Sequence, residues 1–358
     1  MRKQIRYTFL LVFACWVTLV AQPPANYYSS AIGKQGAALK TALFHIIEPH
    51  TQLNYLGLST TFRSTDFHPS GYFWDMYSDT KRSSWFGLNR EHCLPKSWYG
   101  VSGGSEDASP IGSDIHNLYP SDQQVNSEKS NFPLGVAGNS PVLSQFNSRC
   151  KVGLSTFQGY SGMVFEPSDE YKGDFARTYM YMVTRYENYH NVWQSTGTAS
   201  MLQRNTYPVF NPYAVKLLMD WHRKDPVSKK EIDRNNVIFT LQRNRNPFID
   251  LPLLAEYVWG MYTADTWDGS TIEPESPGPL ELQYDPALLS IKVTLNNPTK
   301  ASYRVHNLSG IVIQQGNFTS TSTIALRHPY TQSEFEKGAY ILTVYAGGRK
   351  KTAKLLIY

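Results

Sequence analysis

The sequence predicts an α+β protein: a mainly helical domain carrying one small strand-bearing site, then a small all-β, sandwich-like domain. Three observations lead there. Apolar residues recur at helical spacing in most of the segments between residues 36 and 260. Beyond residue 286 the pattern changes to short alternating runs that suit strands. Between the two, the acidic, proline-rich stretch from Thr271 to Pro279 reads as a stiff linker.

Taken in order, Met1 to Arg6 is positively charged and Tyr7 to Val20 is apolar, with Leu19-Val20-Ala21 as a cleavage site. Residues 1–21 are therefore expected to be a signal peptide, since an apolar run of about 14 residues falls short of the roughly 20 a membrane span needs. Gly36 to Pro49 has Leu39, Leu43, Ile46 and Ile47 at helical spacing. Residues 51–88 read as loops and short strands, with Ser83 to Glu91 the best strand. Asp114 to Ser130 is a polar cluster ending in a helix. In Asp174 to Tyr186 one face collects Phe175, Tyr179, Met182, Val183 and Tyr186. Asn211-Pro212 is an N-cap followed by a first-turn proline, ahead of a helix that buries Ala214, Leu217, Leu218 and Trp221. Ser228-Lys229-Lys230-Glu231 is a capping box, and Asp250 is expected to cap a last helix reaching Trp259. The expected organisation is a signal peptide at 1–21, a mainly helical domain at 22–262, a linker at 263–285 and a β-rich domain at 286–358. Its strands are read at 291–295, 302–306, 310–313, 340–345 and 353–357.

The net charge of +5 hides an asymmetry. Residues 286–358 hold nine Lys/Arg against two Asp/Glu, whereas residues 22–285 hold 22 basic and 27 acidic side chains. A uniformly basic nucleic-acid binder is excluded, so any phosphate contact has to come from a local cleft. Outside the leader the chain has two cysteines, Cys93 and Cys150. An exported chain allows them one disulfide; two buried thiols are the alternative.

Chemistry concentrates in Asn89-Arg90-Glu91-His92-Cys93-Leu94-Pro95-Lys96-Ser97-Trp98 and in the stretch from Ser113 to Asn126. Glu91 offers a hard oxygen ligand, and its neighbour His92 offers a base. Asn126 offers a neutral amide oxygen to the same cation, or alternatively caps a helix. A zinc site from His92, His116 and Glu91 is not supported, because no His-Glu-x-x-His and no Cys/His cluster accompanies them. Arg245, in Asn244-Arg245-Asn246-Pro247-Phe248-Ile249-Asp250, either meets a phosphate or braces its loop against a carboxylate.

Together, Asn89-Arg90-Glu91-His92, Pro95-Lys96-Ser97-Trp98, Asp114 to Asp122, Val125-Asn126 and Ser130-Asn131-Phe132-Pro133 resemble the bacterial endonuclease I family. Phe165-Glu166-Pro167, Lys172-Gly173-Asp174, Trp221-His222, Asp225-Pro226-Val227 and Asn244 to Asp250 look like its later blocks in the same order. The resemblance implies a ββα-metal (His-Me finger) nuclease. His92 would be the general base, and Glu91 and Asn126 would hold one Mg²⁺, with Mn²⁺ or Ca²⁺ as substitutes. The substrate would be DNA or RNA, cut with little regard for sequence to leave 5′-phosphates. Residues 99–113 contain no Arg or Lys, so a phosphate-binding arginine from that loop does not carry over. Arg177, Arg185 and Arg245 are the substitutes considered. Tyr303 to Gly310, Lys337 to Leu342 and Lys354 to Tyr358 resemble a type IX secretion sorting domain, which implies export to the cell surface or medium through that machinery. The expectation is a secreted, monomeric endonuclease acting on DNA. An extracellular ribonuclease using the same site and a catalytically silent surface binding protein are the alternatives.

Overall fold

The computed structural model describes residues 23–100, 106–138, 143–194, 200–270, 281–285, 289–294, 301–308, 311–319, 322–327, 333–346 and 349–357. The expected signal peptide and the centre of the linker lie outside them. The chain divides into two compact units. One joins the residues up to Ser30 with Leu43–Asp250, and the other joins Ala31–Ala42 with Leu251–Tyr358.

In chain order, the elements as far as Asp250 are α1 (Gly36–Ile47), α2 (Leu58–Thr65), β1 (Phe67–His68), β2 (Tyr72–Phe73), β3 (Leu88–His92), β4 (Leu118–Asp122) and α3 (Gln123–Lys129). Then come β5 (Lys151–Leu154), β6 (Met163–Glu166), α4 (Lys172–Arg185), α5 (Pro212–Lys224), α6 (Lys229–Gln242) and α7 (Pro247–Asp250). Three antiparallel two-stranded pairs, β1–β2, β3–β4 and β5–β6, are set among the helices. The caps read from sequence form: Asn211 accepts from the Ala214 amide, and Ser228 and Glu231 bond reciprocally at the start of α6.

Residues 51–88 hold a helix that their composition conceals. The α2 sequence Leu-Ser-Thr-Thr-Phe-Arg-Ser-Thr has weak helix propensity. Tertiary packing holds it, since Leu58 and Phe62 are fully buried in a cluster with Phe73, Leu88, Ile115, Leu118 and Ile238. Asp250 corrects another expectation. It ends α7, and its carboxylate takes Arg245, Tyr28 and Asn235 instead of capping a helix. The helix that reaches Trp259, α8 (Leu254–Trp259), starts from Leu253 with no side-chain cap.

In the second unit, after α8, come β7 (Glu281–Asp285), β8 (Ser290–Thr294), β9 (Ala301–Asn307), β10 (Val312–Phe318), β11 (Ser322–Ala325), β12 (Gly338–Ala346) and β13 (Arg349–Ile357). They form two antiparallel sheets, β10-β9-β12-β13 and β11-β8-β7. Ile291, Val293 and Ile324 from one sheet share a core with Val305, Leu342, Val344 and Leu355 from the other, which makes a sandwich. Burying each such side chain contributes about 1.5–3 kcal/mol. Lys292 and Lys354 alternate outward and are exposed. The strand β7 was expected to be the end of the linker, but it pairs with β8 along its whole length. The β region therefore starts by Glu281.

Candidate active site

The two polar clusters of the sequence become one β-β-α unit. β3 and β4 pair antiparallel in a register that sets Glu91 opposite Tyr119 and His92 opposite Leu118. α3 begins without a linker, because Asp122, the last residue of β4, accepts from the Gln124 and Val125 amides as its N-cap. Asn126 and Lys129 are three residues apart on α3 and so share a face. That face meets Glu91: Lys129 Nζ donates to Glu91 Oε1 at 2.6 Å, and the Asn126 side chain lies close enough to the carboxylate to favour its charged form. Burial raises the Glu91 pKa above the ordinary carboxylate value, and the Lys129 ammonium opposes that rise.

His92 closes β3. Its Nε2 lies 2.8 Å from the Gly112 carbonyl oxygen. A carbonyl can only accept, so the ring proton sits on Nε2 and Nδ1 carries a lone pair. Burial lowers the pKa to about 4, which keeps the ring neutral through the physiological range. Tyr55 stacks on the imidazole, with centroids 5.9 Å apart and planes at 11°, and Tyr99 meets it edge-on at 6.0 Å. Asn117 braces the turn that follows. Its Oδ1 accepts from the Leu94 amide, and its Nδ2 donates to the Leu94 carbonyl and the Tyr99 hydroxyl.

Other candidates are committed elsewhere. His116 Nε2 faces the Asn244 carbonyl at 3.4 Å, and Asp114 accepts from Tyr181, Tyr186 and Gln242. Arg177 is fully buried and clamps Glu231 through two bonds of 2.6 and 2.9 Å. Arg245 does the same to Asp250 with two bonds of 2.6 Å. Neither guanidinium presents a free fork to a phosphate. Arg185 has a different partner, His50 Nδ1 at 2.6 Å, and lies over the Tyr186 ring. Cys93 and Cys150 are both free, buried thiols, so the bridge does not form. Burial pushes the Cys150 thiol up to about 11 and Cys93 higher still, which makes both poor nucleophiles.

Sequence reasoning missed Lys129 and the stack above His92. Lys129 carried no local signal, because its partner lies 38 residues away. Among the described residues no three His, Cys, Asp or Glu side chains gather at one point. At Glu91 and Asn126 the available donors are one carboxylate and one amide oxygen. Such a sparse set of hard ligands suits a divalent cation that keeps most of its waters.

A helix-rich scaffold presenting a buried Glu-His pair on a β-β-α unit is the setting in which the comparisons with known proteins fall. Residues 35–253 match the model of the endonuclease I family. The chain belongs to that family and is an endonuclease. It is 36% identical over 246 residues to an extracellular ribonuclease of Bacillus amyloliquefaciens, covering 65% of this chain and 78% of the relative. A Bacillus subtilis extracellular ribonuclease is 35% identical over the same shares. An extracellular deoxyribonuclease of Aeromonas hydrophila is 26% identical, covering 60% of this chain and 86% of its own.

Proposed function

We propose that this endonuclease is exported and hydrolyses phosphodiester bonds of DNA with one divalent cation, Mg²⁺ or a substitute, at a ββα-metal site. One observation carries the reading. The Gly112 carbonyl fixes His92 as the tautomer whose Nδ1 is a free base, one residue from a carboxylate that already meets Asn126. Glu91 and Asn126 are the protein groups that would hold the cation. When bound, it supplies a positive centre for the charge that develops on the phosphate oxygens and the leaving 3′-oxygen.

The protein's own part is to hold and move a proton. Nδ1 of His92 takes a proton from a water, that water's oxygen bonds to phosphorus in line as the P–O3′ bond breaks, and the 3′-oxygen takes a proton from solvent, giving a 5′-phosphate and a 3′-hydroxyl. Nε2 stays anchored to Gly112 while the ring becomes positive, and the Tyr55 face beside it supports the cationic ring. Glu91 is prearranged by Lys129, so its position is set before any ligand arrives. The nucleophile is water, so the site makes no chemical use of a 2′-hydroxyl. Names of relatives favour a second reading, in which RNA is the principal substrate, since the two Bacillus relatives at 36% and 35% identity are called ribonucleases. Export is supported by the extracellular names of these relatives and by the charged and apolar N-terminal residues. The type IX route remains part of the proposal, with the C-terminal sandwich as its address.

The test sets plasmid, single-stranded DNA and RNA side by side, with wild type and His92→Ala. Wild type should cut with Mg²⁺ and stop on addition of EDTA. Cleavage that survives either EDTA or His92→Ala undiminished would sink the mechanism, and the relative rates on the three substrates decide between the two readings.

A further inference from the structure

We propose that Arg90 is a substrate-binding residue whose guanidinium holds a backbone phosphate beside the bond presented to His92. This rests on the nuclease reading above and adds a residue that it does not contain. Arg90 and His92 are two apart on β3 and so project to the same side of the strand. Tyr55 links them. The Arg90 guanidinium carbon lies 4.6 Å from the Tyr55 ring centre, and that ring stacks in turn on His92 at 5.9 Å. The neighbouring carboxylate, Glu91, alternates to the other side and is bonded to Lys129.

Arg90 keeps an unspent fork, a property it shares in part with Arg185, whose Nε is also unpartnered but whose Nη2 rests on His50. Among the described residues no carboxylate pairs with it, whereas Arg177, Arg234 and Arg245 each close on one. Its Nε is buried with no hydrogen-bond partner. A buried N–H left in that state is costly unless an acceptor arrives. Arg90 is only half-buried overall, so part of its side chain is reachable from solvent. A planar fork placed over an aromatic ring is suited to two oxygens of one phosphate. Residues 99–113 contain no cation, and contacts lead from the Arg90 guanidinium through Tyr55 to the base.

The experiment measures binding apart from cleavage. A fluorescent single-stranded DNA of mixed sequence is titrated with full-length His92→Ala protein in Ca²⁺ buffer, over a range of salt concentrations. The same is done after adding Arg90→Met, Arg90→Lys or Arg185→Met. Losing one phosphate contact on a single strand should flatten the slope of log affinity against log salt by about 0.7. We expect that flattening, with roughly tenfold weaker binding at low salt, for Arg90→Met. Arg90→Lys, which keeps the charge, should restore the slope and part of the affinity. An unchanged slope in Arg90→Met overturns the proposal, as does a flattening produced by Arg185→Met instead. Weaker binding with an unchanged slope that Lys does not rescue assigns Arg90 a purely structural role and also overturns it. If the His92→Ala parent shows no salt-dependent binding at all, the nuclease reading itself fails and this inference falls with it.

Discussion

Two buried pairings of a cation with a carboxylate show how the same chemistry is used for different ends. Between α4 and α6, Arg177 gives Nε and Nη2 to Glu231 and Nη1 to the Asp225 carbonyl, and Glu231 also completes the capping box of α6. Every strong donor there is matched, and the region is an anchor. Between β3 and α3, Lys129 satisfies one oxygen of Glu91, but the surroundings keep unspent valences: Nδ1 of His92 and Nε of Arg90. A buried polar group with nothing left to give holds the fold, while one with a lone pair or proton in reserve can act on a substrate.

The sharpest way to break this contrast is His92→Ala. Loss of the base should cost about 10³-fold in turnover with the thermal melt little changed, as assayed on plasmid with Mg²⁺. The opposite pattern is expected for Arg177→Met. Leaving Glu231 buried without its partner should cost about 3–5 kcal/mol in urea unfolding, while turnover per folded molecule stays near wild type. Equal activity losses in the two variants, after correction for folded fraction, would erase the distinction.

Acid provides a finer test. Burial, outweighing the neighbouring Asp114, pushes His116 down to about 3. The unfolded chain titrates near the ordinary histidine value of about 6.5, so it binds a proton in a range where the folded chain does not. This contribution to stability is therefore whole above pH about 6.5 and is lost as pH falls toward 3. At pH 5 the loss should be roughly 2 kcal/mol. Asp75 and Asp174, both raised to about 6 by burial, work in the opposite sense, so the informative quantity is the difference between wild type and His116→Gln. The variant should lack the acid-side loss that wild type shows, and parallel stability curves would refute the assignment. The smallest effect belongs to Asn211→Ala, which removes the cap of α5 and should cost about 1 kcal/mol in the same unfolding assay.

How much of this was legible in the sequence follows the range of each interaction. The caps at Asn211 and Ser228 were readable because donor and acceptor lie within three residues. Glu91, His92 and Asn126 were readable as residue types, and the pairing of Glu91 with Asn126 across 35 positions required the fold. The α2 helix was missed because packing, not propensity, sustains it, and the short β5–β6 pair left too brief a pattern to read. Arg177 and Arg245 were considered for phosphate because an arginine does not announce its partner. Glu231 lies 54 residues from Arg177, whereas Asp250, five from Arg245, was assigned the different task of capping. Arg90 was passed over within the motif itself, because the lack of a carboxylate partner among the described residues is visible only in three dimensions.

The junction at Asp122 bears on how this chain can change over time. Strand and helix meet there with no spare residue, since the same side chain ends β4, caps α3 and pairs with Arg82. One inserted residue would turn the rest of α3 by about 100° and carry Asn126 and Lys129 off the face that Glu91 meets. Lengthening the segment between His92 and Leu118 has no such lever on α3. Insertions and deletions compatible with activity should therefore accumulate on that side of the hairpin and be absent from the other.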